Sequence, residues 1–194
     1  MTDPVVGRLT FTGVIGPEPS TEELAGLVSH YVMRLPEEVA QSSGYHVLEG
    51  VEELLLSLCR NGFLLGITTG AVEAAAHIKL ARAGLNRFFS FGGYGSDSAD
   101  RGELTRKAID RAGVILGSPL DPPRVLVLGD TPKDVAAAHK SAVAHSAWSS
   151  DRSAASNSAA SPGETIRSRS PSTVGSSRPL VGLTATSPLL TARR

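Results

Sequence analysis

Apolar positions change their spacing twice along this chain, and each change marks a different kind of element. Leu24, Leu27, Val28, Tyr31 and Val32 recur at the helical period. They follow Ser20-Thr-Glu-Glu23, which has the form of a capping box. The spacing predicts a helix over 20–41, ended or kinked at Pro36. A second amphipathic helix is expected from Glu49 to Arg60, stopped by Asn61-Gly62. The pattern then becomes continuous. Phe63-Leu-Leu-Gly-Ile-Thr-Thr69 reads as a short strand buried on both faces. A helix over Ala71–Ala83 closed by Gly84, a strand at Phe88–Phe91 and a helix over Arg101–Ala112 follow. A strand at Arg124–Leu128 and a helix from Pro132 to about Lys140 complete the series. Residues 1–19 are ambiguous, because Leu9-Thr-Phe-Thr favours a strand while Gly13, Gly16 and Pro17 interrupt it. Strands alternating with helices indicate an α/β fold, a parallel sheet with helices on its faces.

From Ser141 the periodicity ends. Residues 141–194 hold 14 serines, and only Ser146-Ala-Trp148 and Leu180-Val-Gly-Leu183 offer apolar anchors. Most of such a tail is expected to be disordered, since it cannot bury enough surface to offset its ordering entropy. Charge divides the chain at the same place. The net charge is zero, but residues 1–140 carry 13 basic and 17 acidic side chains, and the remainder 6 and 2. So thin a basic tail argues against nucleic acid as a partner. No apolar run approaches the ~18 residues that would span a membrane. Met1-Thr-Asp-Pro has no secretory-signal pattern, so a cytoplasmic protein is expected. Cys59 is the one cysteine, which excludes an intrachain disulfide. Its helical spacing with Val51, Leu55 and Leu56 predicts a buried, inert thiol.

Three strand or helix ends carry chemistry. In Gly129-Asp130-Thr131-Pro132-Lys133-Asp134, helix capping explains Thr131, Pro132 and Asp134. It leaves unexplained an acid, Asp130, at the end of a buried strand. Two carboxylates at that end of an α/β sheet suit a hard cation such as Mg²⁺. Thr68, Thr69 and Gly70 end the first long strand. Hydroxyls and glycine there are either a plain turn or a phosphate cradle at a helix N-terminus. Arg101 follows Asp97-Ser-Ala-Asp100 in the first turn of a helix, where a cation opposes the helix dipole and a phosphate partner would explain it.

Taken in order, these segments resemble the haloacid dehalogenase superfamily of Mg²⁺-dependent phosphohydrolases, in particular its phosphoglycolate-phosphatase-like branch. The resemblance spans roughly residues 45–140. It includes Gly50-Val-Glu-Glu-Leu-Leu, Leu65-Gly-Ile-Thr-Thr-Gly70 and Leu80-Ala-Arg-Ala-Gly-Leu-Asn-Arg-Phe-Phe89. It implies a three-layer Rossmann-like core over 46–140 and a remnant helical cap over 1–45. Thr69 would hydrogen-bond the phosphoryl group, with Thr68 and Gly70 beside it, and Arg101 would stabilise its charge. Asp130 would bind Mg²⁺, with Asp134 as a further ligand or its support. The implied substrate is a small phosphorylated metabolite.

The chain also departs from that family. The family's first strand ends in Asp-x-Asp-x-Thr, whose first Asp attacks phosphorus and whose second is the general acid and base. No Asp-x-Asp occurs here. The expectation is therefore an incomplete sheet lacking its central strand, and negligible turnover. Met1-Thr-Asp-Pro looks like an internal segment of the cap, and the abrupt change near Ser141 looks like a change of reading frame. Translating the gene in the other frame after codon 140 is expected to yield Ala-Gly and an apolar strand. Their absence would contradict the frame change.

Overall fold

The computed structural model describes residues 1–121, 124–129, 144–147, 180–185 and 190–192. Helices α1 (Asp3–Ile15) and α2 (Thr21–Gln41) form an antiparallel pair. The core follows as β1 (Tyr45–Val47), α3 (Val51–Arg60), β2 (Phe63–Thr68), α4 (Glu73–Arg82), β3 (Phe91–Gly93), α5 (Arg101–Leu116) and β4 (Val125–Gly129). Three short strands come after it: β5 (Ala144–Ala147), β6 (Leu180–Ala185) and β7 (Leu190–Ala192). The main sheet runs β3-β2-β6-β4-β5, and every neighbouring pair is parallel. β1 and β7 form a separate antiparallel pair.

Alternation along β2 separates two cores. Leu65 and Ile67 point to a face covered by α3 and α4, with Leu55, Ala75, Ala76 and Leu80. Leu64 points to the other face, where Ala108 and Ala112 of α5 meet Val125, Val127 and Val181. This is the expected three-layer α/β arrangement.

The expected gap in the middle of the sheet is filled. β6 lies between β2 and β4, with Val181 paired to Leu64 on one side and Val125 on the other. Val181 is fully buried. The expectation of an empty central position is corrected here, and the strand that fills it contains the apolar anchor Leu180-Val-Gly-Leu183. The reason is the state of the neighbours. Without a strand between them, β2 and β4 would each leave a row of backbone N–H and C=O groups unpaired inside a core. A short apolar segment satisfies both rows at once, and Leu180-Val-Gly-Leu183 is such a segment. Gly182 fits because a β-carbon there would stand 2.9 Å from Leu65 Cδ2. β5, which includes Ser146-Ala147 of the other apolar anchor, pairs with the outer edge of β4.

Smaller differences have local causes. The capping box at Ser20 and Glu23 forms as expected, with the Glu23 N–H donating to Ser20 Oγ at 3.2 Å and the Ser20 N–H donating to Glu23 at 2.8 Å. α2 nevertheless continues through Pro36, because Leu35 and Val39 on either side of it are buried in the core. Residues 3–15 are helical, with Pro4 in the first turn, and the helix ends at Gly16, whose φ is 103°. The strand expected at Phe88–Phe91 begins only at Phe91, since Leu85–Phe88 coil into a 3-10 turn that buries Leu85 and Phe88. Cys59 is exposed rather than buried. At about 100° per residue it lies roughly 80° around α3 from Val51, while Leu55 stays within about 40°. The helix expected from Pro132 lies outside the described residues.

Replacing Val181 by Asp places a carboxylate between two strands with no partner, which is expected to cost about 4 kcal/mol or more. Val114→Asp, at a position 82% exposed, is expected to cost less than about 0.5 kcal/mol. Urea unfolding of the two variants checks the difference. Equal midpoints would contradict the central placement of 180–185.

Candidate functional site at the carboxyl end of the sheet

Because all five strands are parallel, their carboxyl ends share one edge of the sheet, where ligands bind in such folds. The loops after β2 and β3 are joined there by backbone bonds. The Thr69 N–H donates to Gly93 O at 2.9 Å, and the Gly95 N–H to Ala71 O at 2.7 Å. This proximity demands glycine. A β-carbon on Gly95 would stand 2.0 Å from Gly70 O, and one on Gly93 would stand 2.0 Å from Leu104 O.

Thr68 and Thr69 are both buried. The Thr69 hydroxyl oxygen accepts from the Ala71 N–H at 3.1 Å, which turns the chain into α4. α4 has no side-chain cap from its own N-cap residue, Val72. The cap comes from 69 residues earlier: the Val72 N–H donates to Asp3 Oδ2 at 3.1 Å. The Asp3 N–H in turn donates to Gly70 O at 2.7 Å. A β-carbon on Gly70 would meet Met1 O at 2.6 Å. The first three residues therefore lie directly against the Thr69–Val72 loop. The sequence reading missed this role of Asp3. Its signal was Asp-Pro at a helix start, which marks where a helix begins and says nothing of what the carboxylate reaches.

The loop after β3 places Arg101. Asp100 caps α5, accepting from Gly102 N–H at 2.7 Å and Glu103 N–H at 3.2 Å, so Arg101 is the first helical residue. Arg101 is half-buried, and its carbonyl accepts from the Thr105 hydroxyl at 3.0 Å. Asp97 has a structural role. It accepts two bonds from Arg111, at 2.7 and 2.8 Å, and one from the Tyr94 N–H at 2.9 Å. The Arg111 hydrogen bonds hold its carboxyl below the usual carboxylate range, against a smaller opposing effect of burial. Burial pushes the neighbouring Tyr94 hydroxyl up to about 12, helped by the negative charge of Glu73.

Thr68, Thr69, Gly70 and Arg101 thus lie on the same edge of the sheet, in or beside the loops that follow β2 and β3. β4 ends at Gly129 on that edge. Asp130 and Asp134 lie outside the described residues. Among the described residues, no group of three or more His, Cys, Asp or Glu could hold a metal ion.

Residues 10–141 match the family of haloacid dehalogenase-like hydrolases. No curated protein matches the chain.

The Asp97–Arg111 pair predicts an acid-limb effect. A carboxyl whose folded pKa is depressed contributes stability above its unfolded value, about 3.9, and that contribution is lost as pH falls through the folded value. The melting temperature of the wild type should therefore drop more steeply below about pH 4 than that of Asp97→Asn. Parallel acid limbs would contradict the assignment.

Proposed function

The chain belongs to the haloacid dehalogenase-like hydrolases, and we propose that it keeps the phosphate-contacting half of a phosphomonoester hydrolase site without the half that performs hydrolysis. Thr69, Thr68 and Gly70 would receive the phosphoryl oxygens, and Arg101 would neutralise their charge. Hydrolases of this family generally use Mg²⁺. Asp130 and Asp134 would be its ligands here, and the ion would neutralise phosphate charge. The substrate class would be a small phosphorylated metabolite, as in the phosphoglycolate-phosphatase-like branch, met in the cytoplasm. No helix among the described residues is long and apolar enough to cross a membrane.

The observation that carries the loss of turnover is the identity of β6. The strand between β2 and β4 is where the family's nucleophile is carried, and here it reads Leu-Val-Gly-Leu-Thr-Ala. It has no carboxylate to attack phosphorus, and no second one to move a proton to the leaving group. Thr184 could not replace an aspartate without a base beside it. What remains is binding: a phosphate and Mg²⁺, or a partner.

Pure full-length protein is expected to release no phosphate from an aryl phosphate above the buffer rate, with or without Mg²⁺. Phosphate with Mg²⁺ should raise its melting temperature, by a stabilisation of about 2.7 kcal/mol at one hundred times the dissociation constant. Thr69→Ala should abolish the rise. Robust Mg²⁺-dependent turnover would refute the non-catalytic reading, and an unchanged melting temperature would refute phosphate binding.

A further inference from the structure

We propose that Asp3 is a latch: its carboxylate and a bound phosphate compete for the amino end of α4, so that phosphate binding releases α1 from the Thr69–Val72 loop. This rests on the phosphate-binding reading of that loop.

The contact itself is explicit. Asp3 Oδ2 occupies the Val72 N–H at 3.1 Å, and the Asp3 N–H holds Gly70 O at 2.7 Å. An anion there is favoured by the helix dipole and by the backbone N–H groups of the first turn. The same features would attract phosphate. Two anions at one helix end repel, so occupation by one disfavours the other.

The rest of α1 is built to let go. None of its residues is buried, and Val6, Leu9, Val14 and Ile15 are all exposed. A cavity of about 260 Å³ lies between α1 and α2, with Asp3, Val6, Thr10, Leu27 and Tyr31 among its lining. Thr2, next to the latch, is only 2% exposed, and its hydroxyl has no hydrogen-bond partner among the described residues. A buried hydroxyl in that state penalises the docked form and favours release, which returns it to water. α1 also packs on α2, with Gly7 beside Leu24 and Leu27, so what the two bonds of Asp3 fix is the hold of α1 on the Thr69–Val72 loop.

An attached carboxylate acts at an effective concentration in the millimolar range, so phosphate must reach that range to displace it. The test is limited trypsin cleavage after Arg8, within α1, on the full chain with inorganic phosphate and Mg²⁺. Millimolar phosphate should speed cleavage of the wild type about tenfold. Asp3→Ala should be cleaved rapidly without phosphate, with no further effect of it, and should bind phosphate about tenfold more tightly by thermal shift. Asp3→Asn, which keeps the shape and loses the charge, should fall between them and serves if Asp3→Ala fails to fold. Arg8 cleavage unchanged by Asp3→Asn would overturn the latch. So would phosphate that raises the melting temperature of wild type and variants alike without altering cleavage; the phosphate-binding reading would then survive. Phosphate that stabilises none of the proteins would refute that reading, and the competition with it.

Discussion

The sheet depends on two hydrogen-bond ladders made by one short strand. β6 pairs with β2 over six residues and with β4 over four, and without it both neighbours would end in unpaired backbone inside a core. The side chains follow from that placement. Val181 fills the layer beneath α5, together with Leu64 and Val125, and Gly182 leaves room for Leu65 to reach the opposite core. The strand ends at Ala185, level with Thr68, so it also forms part of the edge where the candidate site lies.

Under the proposed function, the same strand sets the limit on chemistry. A parallel sheet presents its strand ends as a row, and each loop contributes what its own sequence carries. β2 contributes hydroxyls and a glycine, and the turn after β3 leads to Arg101 at the start of α5. The central strand ends in the sequence Thr-Ala. On the proposed reading, structural completion and chemical competence are separate. Backbone pairing accepts almost any short apolar segment, whereas attack on phosphorus needs a carboxylate at one position.

Much of the fold was legible in the sequence because its elements are strongly periodic. The capping box at Ser20, the break at Asn61-Gly62 and the apolar run from Phe63 fixed α2, α3 and β2 almost to the residue. Four features were not legible, each for a different reason. Leu180–Ala185 is a weak local signal, and what makes it a strand is the pair of unfilled ladders far away in sequence. Phe91–Gly93 contains two glycines that propensity counts against a strand, yet α5 packs so closely on Gly93 that no side chain would fit. Cys59 shared a helical spacing with buried residues but sits on the flank of α3. Pro36 signals either an end or a kink of α2, and burial of Leu35 and Val39 on either side of it favours a helix that continues. At the candidate site, the positions of Thr69 after β2 and of Arg101 at the start of α5 follow from the pattern of elements. The contact of Asp3 does not, because its partner lies 69 residues away.

Amide hydrogen exchange across β6 tests this account most directly. If Leu180–Ala185 is the central strand, its amides should be protected to the same degree as those of Leu65–Thr68 and should exchange with them in one cooperative opening. Exchange of 180–185 at the rate of an unstructured peptide, while β2 and β4 remain protected, would contradict it.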